Sequence, residues 1–185
     1  MRIGYQGISG SNSEAAAIKY VKDNNLDNVE LIPLVNSNMV VKHLEQELID
    51  VGLMAVYNSI GGTVIETQES LKDKSFKEVY AITLPIHHCL FKKKNVDIEQ
   101  VEIVASHLQA LIQTRKTRQS LFPDLIECEV QDTALAAKEL SENILNDNYA
   151  VICRKNAGEY YGLELVAENI EDRKDNQTTF KIYKK

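Results

Sequence analysis

Four short stretches of this chain gather hydroxyl and amide side chains where a strand is expected to give way to a helix, and that chemistry suits a small anion. They are Gly7-Ile8-Ser9-Gly10-Ser11-Asn12-Ser13-Glu14, Asn58-Ser59-Ile60-Gly61-Gly62-Thr63, Ser106-His107-Leu108-Gln109 and Asp132-Thr133-Ala134. Taken singly, each needs nothing beyond helix capping, and Ser11…Glu14 and Ser106…Gln109 both have the spacing of a capping box. Their shared position says more. In open parallel sheets, ligands sit beyond the carboxyl ends of the strands. Unpaired N–H groups and the positive end of the helix dipole there attract anions. Two such turns from each of two lobes, facing one another across a cleft, would hold a carboxylate at either end. Ser11, Asn58, Ser59, Ser106, Gln109 and Thr133 are therefore the candidate ligand-binding residues. Glycines at 7, 10, 61 and 62 would let backbone approach the ligand closely. No phosphate-loop lysine follows the first glycines and their spacing is not the dinucleotide fingerprint, so no cofactor is expected. No metal is expected either. His87 and His88 are adjacent on a strand and point to opposite faces, so they do not converge with Cys89 on an ion and read as structural histidines.

The elements that must position these residues follow from pattern. Short apolar runs alternate with helical periodicity, as in a parallel α/β sheet. Strands are predicted at residues 1–6, 29–34 and 51–56, with helices over 12–23, 38–49 and 63–72. Residues 78–91 are a β-rich stretch too long for one strand and interrupted by Pro85, read as the crossing into a second lobe. Strands then return at 101–105, 125–130, 149–153, 163–168 and 179–183, with helices over 108–121, 134–145 and 156–161. The expected organisation is one lobe from residues 1–80 plus about 163–185, and a second from about 81–162. Arg115 and Arg118, three apart on a helix, are expected to face solvent.

Bulk properties narrow the class. With 185 residues, the chain can bury a substantial core. A net charge of −6 argues against a general nucleic-acid or acidic-membrane binder, which needs a basic face. No apolar run approaches the roughly 20 residues of a membrane span, and no signal peptide is visible. Three widely spaced cysteines do not form a disulfide framework, so the expected setting is cytoplasmic, with a homodimer compatible with this architecture.

Several segments are recognisable together. IGYQGISGSNSEAA, NSIGGTVIETQESL, LPIHHCL, VASHLQALIQTR, DTALAA and YGLELVAENIEDRKDNQTTF follow one another along almost the whole chain. In that order they resemble the catalytic domain of the prephenate dehydratase family. The resemblance implies a two-lobed α/β fold like that of type II periplasmic binding proteins, with the active site in the interlobe cleft. It implies a lyase of phenylalanine biosynthesis, in which prephenate loses its ring hydroxyl and a carboxylate together to give phenylpyruvate, water and carbon dioxide. Aromatisation drives that reaction, so the protein must mainly orient the dianion and protonate the departing hydroxyl. By position, Thr178 matches the threonine of the family's Asn-x-Thr-Arg-Phe motif and is the implied catalytic residue. Asn58, Ser59, Ser106, Gln109 and Thr133 match polar family positions and are implied to hydrogen-bond ligand oxygens.

The departures are specific. Thr179 stands where the motif has arginine, and Tyr57 where the family has a glutamate before Asn-Ser. Ile8, Asn12 and Leu108 are smaller changes. A guanidinium grips a carboxylate through two parallel hydrogen bonds, which threonine cannot imitate. One of Arg115 and Arg118 would have to border the cleft to replace it. The alternative reading is thus a diverged member that binds a small carboxylate without dehydratase activity, or acts on a related substrate. The sequence stops shortly after the Thr-x-Phe strand, so a catalytic domain without the ACT regulatory domain, insensitive to phenylalanine, is expected.

Overall fold

In the computed structural model, which describes residues 1–185, the contacts divide the chain into two units, residues 1–86 with 175–185 and residues 87–174. The first unit begins with β1 (Arg2–Tyr5), α1 (Asn12–Asp23), β2 (Glu30–Pro33), α2 (Ser37–Glu45) and β3 (Val51–Asn58). It continues through β4 (Gly62–Thr63), α3 (Ile65–Leu71) and β5 (Lys77–Pro85). The second unit holds β6 (Cys89–Lys92), a 3-10 turn at Ile98–Gln100, β7 (Ile103–Ser106), α4 (Leu108–Gln113) and α5 (Arg115–Leu121). It ends with β8 (Ile126–Glu129), α6 (Thr133–Ser141), β9 (Tyr149–Cys153), α7 (Lys155–Tyr160) and β10 (Glu164–Ala167). The chain then returns to the first unit as β11 (Gln177–Lys184).

In the first unit the strand order is β2-β1-β3-β11-β5, with β4 paired to β3. β1, β2 and β3 are mutually parallel, whereas β11 runs antiparallel to both β3 and β5. The sheet is therefore mixed rather than parallel throughout, because β5 and β11 carry the chain out of this unit and back. Both faces are covered. Ala16, Ala17 and Tyr20 of α1 recur at helical spacing and pack on Ile3, Tyr5, Leu53, Phe180 and Ile182. Val40, Val41 and Leu44 of α2 pack on the opposite face with Leu34, Ile49 and Met54. Burial on both faces explains why β3 begins Val-Gly-Leu-Met with no polar alternation.

In the second unit the order is β10-β6-β9-β7-β8. β7, β8 and β9 are parallel, while β6 is antiparallel to β9 and to β10. That last pairing moves a boundary. Residues 163–174, expected to return to the first lobe, stay in the second because β10 adds to the edge of β6, and the return comes at 175.

Helix expectations also change, with α6 ending at Ser141 rather than 145 and α3 beginning at Ile65 rather than 63. The helix over 108–121 divides at Thr114, whose buried hydroxyl donates to the Ala110 carbonyl at 2.8 Å. Asp172 then caps α5, accepting from the Lys116 and Thr117 N–H groups at 3.1 and 2.8 Å. α2 stops at Glu45 rather than running to 49, since Glu47 turns left-handed at φ 58°. No helix is long and apolar enough to cross a membrane.

Candidate functional site

The carboxyl edge of the first sheet is where β1, β2 and β3 end and where the antiparallel β11 begins. After β1 the chain makes a tight turn, with Gly7 and Gly10 at φ 103° and 87°, values that exclude ordinary side chains. Ser11 caps α1 by accepting from the Glu14 N–H at 3.2 Å. The expected capping box forms in altered shape. Glu14 reaches past Ser11 to the Gly10 N–H at 2.7 Å, and its other oxygen takes the Tyr5 hydroxyl at 3.0 Å.

The second turn is not a helix start, which corrects the sequence reading. Asn58 Oδ1 accepts from the N–H groups of Ile60 and Gly61 at 3.0 and 2.8 Å, closing an Asx turn. The chain then forms a short hairpin between β3 and β4 before α3 begins at Ile65. On its other side the Asn58 amide faces three acceptors. They are Asn176 Oδ1 at 2.8 Å, Thr178 Oγ1 at 2.9 Å and the Gln177 carbonyl at 3.1 Å. Ser59 works beside it, donating to the Asp175 carbonyl at 3.0 Å and accepting from the Gln177 N–H at 2.9 Å. Asn58 and Ser59 thus fasten residues 175–178 across a separation of about 120 positions. Their side-chain donors, expected to meet ligand oxygens, have partners inside this unit.

Thr178 is what this clamp holds. It is 8% exposed, and its hydroxyl oxygen accepts from Asn58. A hydroxyl carries one proton and two lone pairs, so accepting here leaves the proton available in another direction. Strand alternation turns Thr179 to the opposite face of β11. There it pairs with Tyr57 of β3 and lies 3.0 Å, oxygen to oxygen, from Thr83 of β5. The β3–β11 register shifts between Thr179 and Phe180, so the clamp ends in a bulge. Tyr57 is 49% exposed.

The carboxyl edge of the second sheet carries the remaining candidates. Ser106 ends β7, is fully buried and donates to the Ile152 carbonyl at 2.6 Å, so its proton is committed to tying β7 to β9. The cap of α4 is His107 rather than Ser106, with Nδ1 accepting from the Gln109 N–H at 3.2 Å, so the expected Ser106…Gln109 capping box is not formed. Gln109 itself is exposed. Thr133 is half-buried at the start of α6, where Asp132 is the cap, accepting from Ala134 and Leu135 at 2.8 and 2.9 Å. The structure thus brings Asn58 and Thr178 into direct contact, with Ser59 bonded to the neighbouring Asp175 and Gln177, and places Ser11 on the same sheet edge. Ser106, Gln109 and Thr133 lie on the corresponding edge of the other unit.

Both helix arginines are engaged by an acid of their own unit. Arg118, expected at the surface, is 1% exposed. It and Arg115 converge on Glu127, at 2.5 Å from Arg118 and 2.9–3.0 Å from Arg115. Their guanidinium groups draw the Glu127 carboxyl below its ordinary range. The histidines separate as alternation requires. His87 meets Glu171 at 3.0 Å, whereas the His88 ring is buried and meets Gln113 at 2.9 Å. Burial holds the His88 pKa below its usual value. Burial alone would raise the Glu171 carboxyl, but hydrogen bonds from His87 and from the His88 N–H keep it low. Residues that motif reading did not single out are His107, Asn176 and Arg154. Only Asn176 left a trace, as the first residue of Asn-x-Thr.

A sequence model of the family described as prephenate dehydratase matches residues 3–185. Among curated proteins, the chain is 36% identical over 180 residues to arogenate dehydratase/prephenate dehydratase 2, chloroplastic, of Arabidopsis thaliana, covering 97% of this chain and 45% of that protein. The chain spans less than half the length of that relative. Among solved structures, a prephenate dehydratase from Arthrobacter aurescens, in complex with L-Phe, superposes with TM-score 0.88 at 22% identity, over 100% of this chain and 60% of that one. A periplasmic substrate-binding protein of an ABC transporter from Coxiella burnetii superposes at 0.56 and 14% identity, over 98% of this chain and 84% of that one. At these identities the structures speak to fold alone, and the fold is two-lobed and periplasmic-binding-protein-like.

Proposed function

The chain belongs to the prephenate dehydratase family, and on that premise we propose that it is a prephenate dehydratase-type lyase of phenylalanine biosynthesis in which Thr178 delivers the proton. The observation that carries this reading is the hydrogen bond from Asn58 Nδ2 to Thr178 Oγ1 at 2.9 Å. By taking one lone pair it directs the Thr178 proton outward, and accepting from an amide strengthens the hydroxyl as a donor. The proton passes to the ring hydroxyl as its C–O bond breaks and water departs. The bond to the ring carboxylate breaks with it, its electron pair completes the aromatic ring, and carbon dioxide leaves. Thr178 recovers its proton from solvent.

Asn58, Ser59 and Asn176 are positioning residues in this scheme, since they hold the strand that bears Thr178. Ser11, Gln109 and Thr133 are the proposed donors to substrate oxygens, and Ser106, with its proton committed, contributes an acceptor or simply order. No cofactor enters the chemistry. A reducing cytoplasmic setting belongs to the same reading, because Cys89, Cys128 and Cys153 are all free thiols.

A second substrate is favoured by a specific observation: the Arabidopsis relative is named for arogenate as well as prephenate. Arogenate loses the same hydroxyl and carboxylate, so the Thr178 step is unchanged. The test supplies each compound separately, following phenylpyruvate by absorbance and phenylalanine by chromatography. Product from at least one is expected, with Thr178→Val removing most of the turnover. No product from either at high enzyme concentration would sink the reading. Binding without turnover would favour the diverged, carboxylate-binding alternative.

A further inference from the structure

At the carboxyl end of β9 lies a cation that no carboxylate of the protein meets. Arg154 directly follows Cys153, and its Nη1 is buried without a hydrogen-bond partner. Arg2 is paired to Asp50, and Arg115 and Arg118 to Glu127; Arg118 also buries its Nε without a partner, but its other nitrogen meets a carboxylate and Arg154 meets none. The acids felt by Cys89 and Cys153, the sheet pair just before Arg154, have other partners. Glu168 pairs with the neighbouring Lys155, and Glu171 with His87 and Lys174. Asp132 is engaged by the N–H groups that open α6. Burial is the one influence on the Arg154 guanidinium, and it lowers the pKa without any acidic group to offset it.

Burying part of a guanidinium without a counter-ion is unfavourable. This chain carries 27 acidic residues and a net charge of −6, yet none of those acids is set against Arg154. Such a cation is suited to an anion that arrives from outside. Its surroundings fit one. The pairing of Cys153 with Cys89 puts Arg154 beside His88 on one flank, and Ser106, bonded to the Ile152 carbonyl, lies on the other. The position is therefore on the edge that also carries Gln109 and Thr133.

We infer that Arg154 is a substrate-binding residue whose guanidinium takes a carboxylate of a small organic anion through paired N–H donors. This rests on the proposed lyase function and deepens it. Arg154 supplies a cation for one carboxylate of the substrate.

The test titrates prephenate, arogenate and phenylpyruvate calorimetrically into the parent, Arg154→Gln and Arg154→Lys, well below the melting temperature, with ligand-free melts alongside. Arg154→Gln should weaken affinity by about tenfold to hundredfold and raise KM more than it lowers kcat. Arg154→Lys should fall between, keeping the charge without the planar fork. The ligand-free melting temperature of Arg154→Gln should hold or rise, since an unpaired buried charge is removed. Unchanged affinity in Arg154→Gln overturns the assignment, and so does a parent that binds none of the three compounds. Parent turnover with an unaffected Arg154→Gln variant removes only the Arg154 assignment. Parent binding without turnover, lost in the variant, removes only the lyase reading.

Discussion

Asn58→Asp is the most informative single change, because it keeps the shape of the side chain and inverts half of its hydrogen bonds. The acceptor side survives: one carboxylate oxygen still receives the Ile60 and Gly61 N–H groups now held at 3.0 and 2.8 Å. The donor side does not. An oxygen would replace Nδ2 opposite Asn176 Oδ1 at 2.8 Å and the Gln177 carbonyl at 3.1 Å, turning two attractions into lone-pair repulsion. At about 1 kcal/mol for each bond lost, plus a partly desolvated charge, the expected loss of stability is roughly 2–4 kcal/mol. In a chain of this size that lowers the melting temperature by about 4–16 °C. Thr178 responds differently, because its hydroxyl can reverse and donate to the new carboxylate. Its proton would then point inward, and kcat should fall about a hundredfold or more while KM changes little. The assay combines thermal melts with initial rates on the productive substrate, for Asn58→Asp, Thr178→Val and the double variant. If Asn58 acts through Thr178, adding Asn58→Asp to Thr178→Val costs little further kcat. A kcat within threefold of the parent would refute the positioning argument, as would fully additive losses in the double variant.

Two further outcomes are expected. Thr179→Arg, on the half-buried strand position beside Tyr57 and Thr83, should tighten prephenate binding about tenfold or more, and an unchanged calorimetric affinity would show the dianion to be already balanced. His88 should make the protein acid-sensitive: its folded pKa lies below the ordinary 6.5, so its stabilising contribution is complete above 6.5 and is lost as the pH falls through the folded value. Glu171, held below its ordinary 4.5, adds a second loss as the pH falls lower still. Melts across this range should show His88→Gln with a flatter slope just below 6.5, and a slope equal to the parent's would remove His88 as the cause.

Local pattern settled those parts of the protein whose causes lie within a turn or a strand. The span of α1 is legible because Ser11 caps it and Ala16, Ala17 and Tyr20 recur at helical spacing. β9 is legible because five consecutive residues suit a strand buried on both faces. The ordered motifs, read together, point to the family and to Thr178. Other features depend on partners that only folding supplies. Asn58 reads as a helix-start residue until β11 arrives from 120 positions away and turns it into a clamp. Thr114 breaks a continuous helical pattern because Asp172, from another segment, caps the second half. Residues 163–174 look ready to return to the first lobe until β10 finds the edge of β6. Arg154 is one charged residue in a charged sequence, and only the fold shows its Nη1 buried without a partner. Propensity and periodicity act over a few residues, whereas pairing and desolvation are decided by whatever the tertiary fold brings within hydrogen-bond reach.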